Sequence, residues 1–298
     1  MLLVESNLQN KRNEDQGEFL DLRHASNMPL KNLGYDISEY SFANLYLFRQ
    51  THAYRIVWEN NVPIVIGKTR KKSYFHFPIE SFSCLSHEVI ANRIHQYGTL
   101  YPVPEPLLPL FPQDRYKIFH DVDESDYVYT VEKMRSYRGR ELQGKRNLVK
   151  QFLSNYSPVP KTIDQSNIED AKLVLRKWQE DVRSMPDETD YDSCKEALEK
   201  FEQLGLWGYL YYLDQEPGGF LLLEELHPKM VAVHFAKGLR KFKGLYQYMY
   251  SHAAQNMPSH IQYMNFEQDM GNLALRIAKS SYEPDQMIHK YGIQCIDK

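Results

Sequence analysis

Two stretches of the chain set short apolar runs around turn residues in the same way. In the first, Tyr54-Arg-Ile-Val-Trp58 and Val62-Pro-Ile-Val-Ile66 flank Glu59-Asn-Asn61. In the second, the runs 206–213 and 220–223 flank Asp214-Gln-Glu-Pro-Gly-Gly219. Apolar runs of strand length around Gly, Pro or Asn read as β-hairpins. The segments after the two hairpins also match: a strand at 73–77 and a helix over 82–97, then a strand at 231–235 and a helix over 244–256. The second half adds a strand at 261–265, a helix over 271–280 and a last strand at 293–296. Two amphipathic helices, 168–184 and 191–204, precede its hairpin, with stripes of Leu173, Leu175 and Trp178, then Ala197, Leu198 and Phe201. Hairpins succeeded by crossover helices predict an α/β (α+β) fold of two similar units, each a mixed sheet flanked by helices. The Pro/Ser-rich stretch 154–162 marks the expected boundary, giving units 1–160 and 161–298, with residues 1–17 loose.

Charge changes this picture in one place. The chain of 298 residues carries a net charge of −3, yet residues 133–150 hold seven basic side chains and one acid, Glu141. The same segment contains Gly139-x4-Gly144-Lys145, close to a phosphate-binding P-loop. That motif needs Ser or Thr after the lysine and a buried strand before the first glycine. Arg146 stands in the Ser/Thr place and Lys133-Met-Arg-Ser-Tyr-Arg138 is no buried strand, so nucleotide hydrolysis is excluded as a reading. Two alternatives stay open: a basic loop at a helix N-terminus that takes an anion, with Arg138, Lys145 and Arg146 as its cations, or a solvated face.

Composition excludes several classes. Three cysteines, Cys84, Cys194 and Cys295, are far apart and odd in number. They suit a reducing compartment and predict neither a disulfide framework nor a zinc site. No apolar stretch approaches the ~18 residues of a membrane span, so a soluble, cytoplasmic protein is expected. The sequence does not specify an oligomeric state.

The second-half crossover carries the other candidate chemistry. Strand residues Val231-Ala-Val-His-Phe235 lead into a basic loop with Arg240, Lys243 and Gly244, then Tyr246 in a helix. Strand, basic glycine-containing loop and helix N-terminus together make an anion cradle; ordinary surface lysines are the alternative.

The element order resembles the GNAT N-acyltransferase fold, whose crossover loop binds the pyrophosphate of acyl-CoA. Arg240-Lys-Phe-Lys-Gly244-Leu-Tyr246 departs from that loop by one extra residue and by Tyr246 in place of a small residue. A closer resemblance rests on Ser41-Phe-Ala-Asn-Leu-Tyr-Leu-Phe48, Gly139-Arg-Glu-Leu-Gln-Gly-Lys-Arg-Asn147, Lys243-Gly-Leu-Tyr-Gln247, Asn265-Phe-Glu-Gln-Asp-Met-Gly271 and Leu275-Arg-Ile-Ala-Lys-Ser-Ser-Tyr282. These are similar to the phosphatidylglycerol lysyltransferase C-terminal-domain family, which has tandem GNAT-like units and membrane-bound members that transfer lysine from aminoacyl-tRNA to a lipid.

The resemblance implies a soluble acyl- or aminoacyltransferase. Acyl-CoA or aminoacyl-tRNA would be the donor substrate, with no tightly bound cofactor and no metal. A non-catalytic protein that binds a ligand or RNA on the same fold is the alternative. The resemblance places the site around the second unit. Asn265, Arg240, Lys243, Gly244, Tyr246, Arg138, Lys145 and Arg146 would face the donor. Transfer needs a base and oxyanion donors. Glu225, Glu267 and His234 are candidate bases, as is the adjacent Glu224, and Tyr282 is a candidate acid for the leaving group. Asp269 is expected to cap the next helix. Both basic stretches are expected to face one groove and share one polyanion.

Overall fold

The computed structural model describes residues 17–182 and 184–296. The first sixteen residues, within the segment expected to be loose, lie outside the described residues. The chain forms two compact units. One comprises residues up to Val122 and from His289 onward, and the other is Asp123–Ile288.

The first unit contains β1 (Glu18–Phe19), β2 (Arg55–Glu59), β3 (Val62–Lys68), β4 (Tyr74–Pro78), β5 (Thr99–Pro104) and β6 (Tyr116–His120), with α1 (Phe42–Leu47) and α2 (His87–Tyr97). The second contains β7 (Asp126–Thr130), β8 (Pro158–Thr162), β9 (Trp207–Leu213), β10 (Glu216–His227), β11 (Met230–Gly238), β12 (Tyr263–Asn265) and β13 (Gln286–Ile288). Its helices are α3 (Val131–Ser136), α4 (Gln143–Asn155), α5 (Ile168–Val182), α6 (Tyr191–Glu199), α7 (Leu245–Gln255) and α8 (Leu273–Ser280). The last strand, β14 (Lys290–Cys295), belongs to the first unit.

The two seven-stranded sheets have the same layout, the GNAT-like one expected. The first runs β1-β2-β3-β4-β5-β14-β6 and the second β8-β9-β10-β11-β12-β7-β13. In each, the fourth and fifth strands are parallel and every other pair is antiparallel. The crossover between the parallel strands contains a helix, α2 or α7, as parallel pairing requires. The sixth place differs in origin. In the first sheet it is held by β14, at the far end of the sequence, and in the second by β7, which comes soon after β6.

This exchange corrects two expectations. The apolar pattern puts the strand near 293–296 in the second half, but β14 pairs with β5 and β6. Composition puts the boundary at 154–162, but β8 pairs antiparallel with β9 and lies inside the second unit. Proline is tolerated there because β8 is an edge strand.

The hairpin turns also show what glycine signals meant. Asn60 and Asn61 have φ of 49° and 65°, and Asp214 and Gln215 have φ of 51° and 68°. These are two-residue loops matched to the strand twist. The Pro-Gly-Gly run, expected in the second turn, lies within β10. A Cβ on Gly219 would come within 2.7 Å of Met249 Sδ, so the glycine lets α7 approach the sheet. Leu245, Met249 and Ala253 of α7 lie on one helical face, in a core with Leu221 and Leu223 of β10 and Val231 and Val233 of β11.

Candidate active site

Strand β11 pairs with β12 only through Met230–Ala232, opposite Tyr263–Asn265. Beyond Ala232 the ladder ends, and Phe266 and Glu267 after β12 stay bonded to Tyr127 of β7, at the carboxyl ends of the parallel strands. Open α/β sheets bind ligands at such places.

A β-bulge sits just past the end of that ladder. Leu222 lies opposite Phe235 and Leu223 opposite Val233, which leaves His234 as the extra residue of β11. A bulge of this kind re-aims a side chain. His234 Nε2 meets Glu224 Oε2 at 3.0 Å, and Nδ1 meets Glu267 Oε1 at 2.8 Å. All three side chains are largely buried. Burial opposes charge on the ring, but the two carboxylates outweigh it and push its pKa up to about 10. At neutral pH both ring nitrogens therefore donate, one to each glutamate.

Alternation along β10 decides which glutamate joins it. Leu221 and Leu223 face the main core, while Leu226 packs in the smaller cluster with Ala232 on the other face. Glu224 shares the face of Leu226, and Glu225 points away. Glu225 is more exposed and lies 3.5 Å from His260 Nε2. Of the four candidate bases, His234, Glu267 and Glu224 are brought together and Glu225 lies apart. The bulge at His234 has no sequence mark.

Glu267 is held in place by its backbone. Its φ is 59°, in the left-handed region, where a non-glycine residue needs support from its surroundings. Its N–H donates to Asn265 Oδ1 at 2.7 Å, and buried Asn265 donates through Nδ2 to Asp126 Oδ2 at 3.0 Å. Lys279 Nζ donates to the carbonyls of Phe266, Glu267 and Gln268, at 2.6, 3.1 and 2.7 Å. Asp269 does not cap the next helix; Asn272 does, accepting from the N–H groups of Ala274 and Leu275. Asp269 instead accepts from Tyr127, Gly271 and Arg276. The Arg276 guanidinium leads in holding its pKa down to about 2.

Tyr282 is buried in an aromatic cluster with Tyr129, Tyr137 and Tyr250. Its hydroxyl accepts from Gln247 Nε2 at 3.0 Å, and burial raises its pKa well above the usual phenol value. The cluster continues to Phe266, beside Glu267.

The basic residues divide. Lys145 Nζ lies 3.9 Å from the centroid of the Tyr282 ring and donates to Ser281 Oγ at 2.6 Å; burial lowers its pKa. Arg146 donates to the carbonyls of Tyr137 and Gly139, closing the loop between α3 and α4. Both are taken up by the fold, whereas Arg138 is exposed. In the crossover loop, a Cβ on Gly244 would lie 2.6 Å from the Leu148 carbonyl, so α4 covers the start of α7. The helix that follows the first basic stretch therefore packs beside the crossover loop. Carboxylates line the loop, however. The Arg240 N–H donates to Asp181, Lys237 pairs with Asp190, and Lys241 with Glu216. The Tyr246 hydroxyl accepts from the Gly238 N–H. Lys243 is exposed.

Comparison with known proteins agrees with this architecture. A conserved protein of unknown function from Bacteroides thetaiotaomicron VPI-5482 superposes with a TM-score of 0.80 at 20% identity, over 94% of this chain and 99% of that one. L-PGS from Bacillus licheniformis superposes with a TM-score of 0.63 at 12% identity, over 93% of each chain. An uncharacterized protein of Mycoplasmoides gallisepticum is 25% identical over 185 residues, 60% of this chain and 59% of the relative's length. The family described as "Phosphatidylglycerol lysyltransferase, C-terminal" matches residues 31–294. The chain belongs to that family.

Proposed function

We propose that the second unit is an aminoacyltransferase, moving an aminoacyl group from a tRNA ester to an amine or hydroxyl acceptor. The observation that carries this is the buried triad in which Glu224 and Glu267 flank His234, beside the end of the β11–β12 ladder. An aminoacyl group brings an α-ammonium, which gains from two glutamates held close together. A plain acyl group gains nothing there. The carboxylates at Asp181, Asp190 and Glu216 also weigh against the crossover loop as a pyrophosphate cradle. Membership of the phosphatidylglycerol lysyltransferase C-terminal family and likeness to L-PGS support the same reaction class.

In this reading Glu267 takes the proton as the acceptor attacks the ester carbonyl. The new C–N or C–O bond forms, the ester C–O bond breaks, and the proton passes to the departing ribose hydroxyl. His234, with both nitrogens donating, cannot itself be the base. It holds Glu267 and Glu224 in place through its two ring nitrogens.

The test is transfer from a mixed pool of radiolabelled aminoacyl-tRNA, with labelled acetyl-CoA as a parallel donor. Consumption of aminoacyl-tRNA that falls by about a hundredfold or more in Glu267→Gln is expected. Transfer from acetyl-CoA alone, or no effect of that substitution, overturns the proposal.

A further inference from the structure

Strand β11 continues to Gly238, but its ladder with β12 ends at Ala232. Among the described residues, the stretch between has a neighbouring strand only on the β10 side. Backbone groups of successive strand residues point to opposite edges. The Leu239 N–H donates to the Gly218 carbonyl, on the β10 side, at 2.9 Å. Gly238 and Ala236 therefore turn their N–H and C=O groups to the other edge. A free strand edge takes an extended chain that carries amides, as an added strand.

Tyr246 closes this edge at its end. The Gly238 N–H donates to the Tyr246 hydroxyl at 3.1 Å, and that hydroxyl donates to the Gly238 carbonyl at 3.4 Å. One phenol thus occupies both backbone groups that an added strand would use there. Its ring lies over the glycine, since a Cβ on Gly238 would come within 3.3 Å of Tyr246 Cε2. Burial raises the phenol's pKa, and the Trp178 side chain also bonds the hydroxyl. Trp178 is held in turn, with Lys237 Nζ 3.8 Å from its ring centroid and paired to Asp190 at 2.6 Å. These contacts fix Tyr246 in one place.

We propose that Tyr246 selects the donor class: it shuts the β11 edge to acyl carriers with a long amide-bearing arm, such as acyl-CoA, and leaves the site to acyl groups carried on a ribose ester. The two classes differ in what they ask of a strand edge. The pantetheine arm of an acyl-CoA is a linear chain with amides along its length, each offering a donor and an acceptor. A ribose ester has no amide between the sugar and the acyl group, so it needs no free edge. The closing of the edge belongs to this chain whatever it transfers; only the donor that remains rests on the aminoacyltransferase reading above.

Titration of the full chain with pantetheine, followed by amide chemical shifts, tests it. Pantetheine is uncharged, so the carboxylates around the crossover loop do not repel it, and no transfer is needed for the readout. Wild type is expected to leave the Ala236 and Gly238 amides unshifted at millimolar pantetheine. Tyr246→Ala should shift both and bind at least on the order of tenfold more tightly. Tyr246→Phe keeps the ring and removes the hydroxyl, so hydrogen exchange at the Gly238 amide should speed by on the order of tenfold. That arm decides the matter even where the alanine variant does not fold. Three results overturn the inference. One is pantetheine shifting the Ala236 and Gly238 amides of wild type. Another is a folded Tyr246→Ala chain with no gain in affinity. The third is Gly238 exchange unchanged in Tyr246→Phe. Failure to consume aminoacyl-tRNA would remove the transfer reading instead, and would leave these three measurements as they stand.

Discussion

His234 occupies the one place on β11 where an inserted residue turns its ring onto two carboxylates, and its proton is central to that arrangement. Because its folded-state pKa of about 10 lies above the ordinary value, the pairing stabilises the fold fully below about pH 6.5. The contribution is lost as pH rises through about 10. His234→Gln removes the cation that the two carboxylates share. The unfolding free energy should fall by about 3–5 kcal/mol near pH 6, the range for breaking a buried pair. Denaturant titrations of wild type and variant across pH 6–10 should converge as pH rises. A gap that stays constant with pH would mean the folded ring is neutral. In the sequence this residue is visible only as a histidine in an apolar strand, because a bulge depends on register with the neighbouring strand.

The loop between β12 and α8 shows what can be read at the level of elements and what cannot. Its flanking strand and helix are legible from apolar runs, and so is the glycine-marked turn. The reason for the loop's shape is not. Lys279 lies more than ten residues downstream of the carbonyls it binds, and nothing in the spacing of Leu275-Arg-Ile-Ala-Lys279 says which face is buried. Period alone would turn Leu273 and Ile277 inward, and the structure leaves both exposed while Lys279 reaches back to the loop. Likewise Gly218 and Gly219 read as a turn because close packing and turn geometry call on the same residue. Lys279→Met should remove the shared donor and cost about 2–3 kcal/mol. It should also speed hydrogen exchange at the Glu267 amide, with exchange in β9 and β10 nearly unchanged. Uniform acceleration across the unit would show that the lysine supports the whole fold rather than this loop.

At the scale of the whole molecule the repeated order of elements is legible, but the exchange of the sixth strand is not, since β7 and β14 carry no mark of which sheet they complete. Among the described strands β6 pairs only with β14, so the first sheet is divided without it. β14 is fixed by fully buried Lys290, whose Nζ lies 2.6 and 2.9 Å from the two carboxylate oxygens of Glu39 and 3.2 Å from Ser38 Oγ. A fragment of residues 123–288 should therefore fold alone, with dispersed amide resonances. A fragment of residues 1–122 should not, until a peptide covering 289–298 is supplied. A well-folded 1–122 fragment without the peptide would show that β14 is dispensable. The same connectivity sets a schedule during synthesis. About 170 residues separate His120 from Lys290, which at ribosomal speeds is on the order of ten to thirty seconds. For that interval the nascent first unit has two unpaired strand edges, at β5 and β6, open to pairing with any neighbouring chain. A ribosome that stalls late thus leaves the earliest part of the protein unfinished, so the oldest residues report whether the newest have arrived.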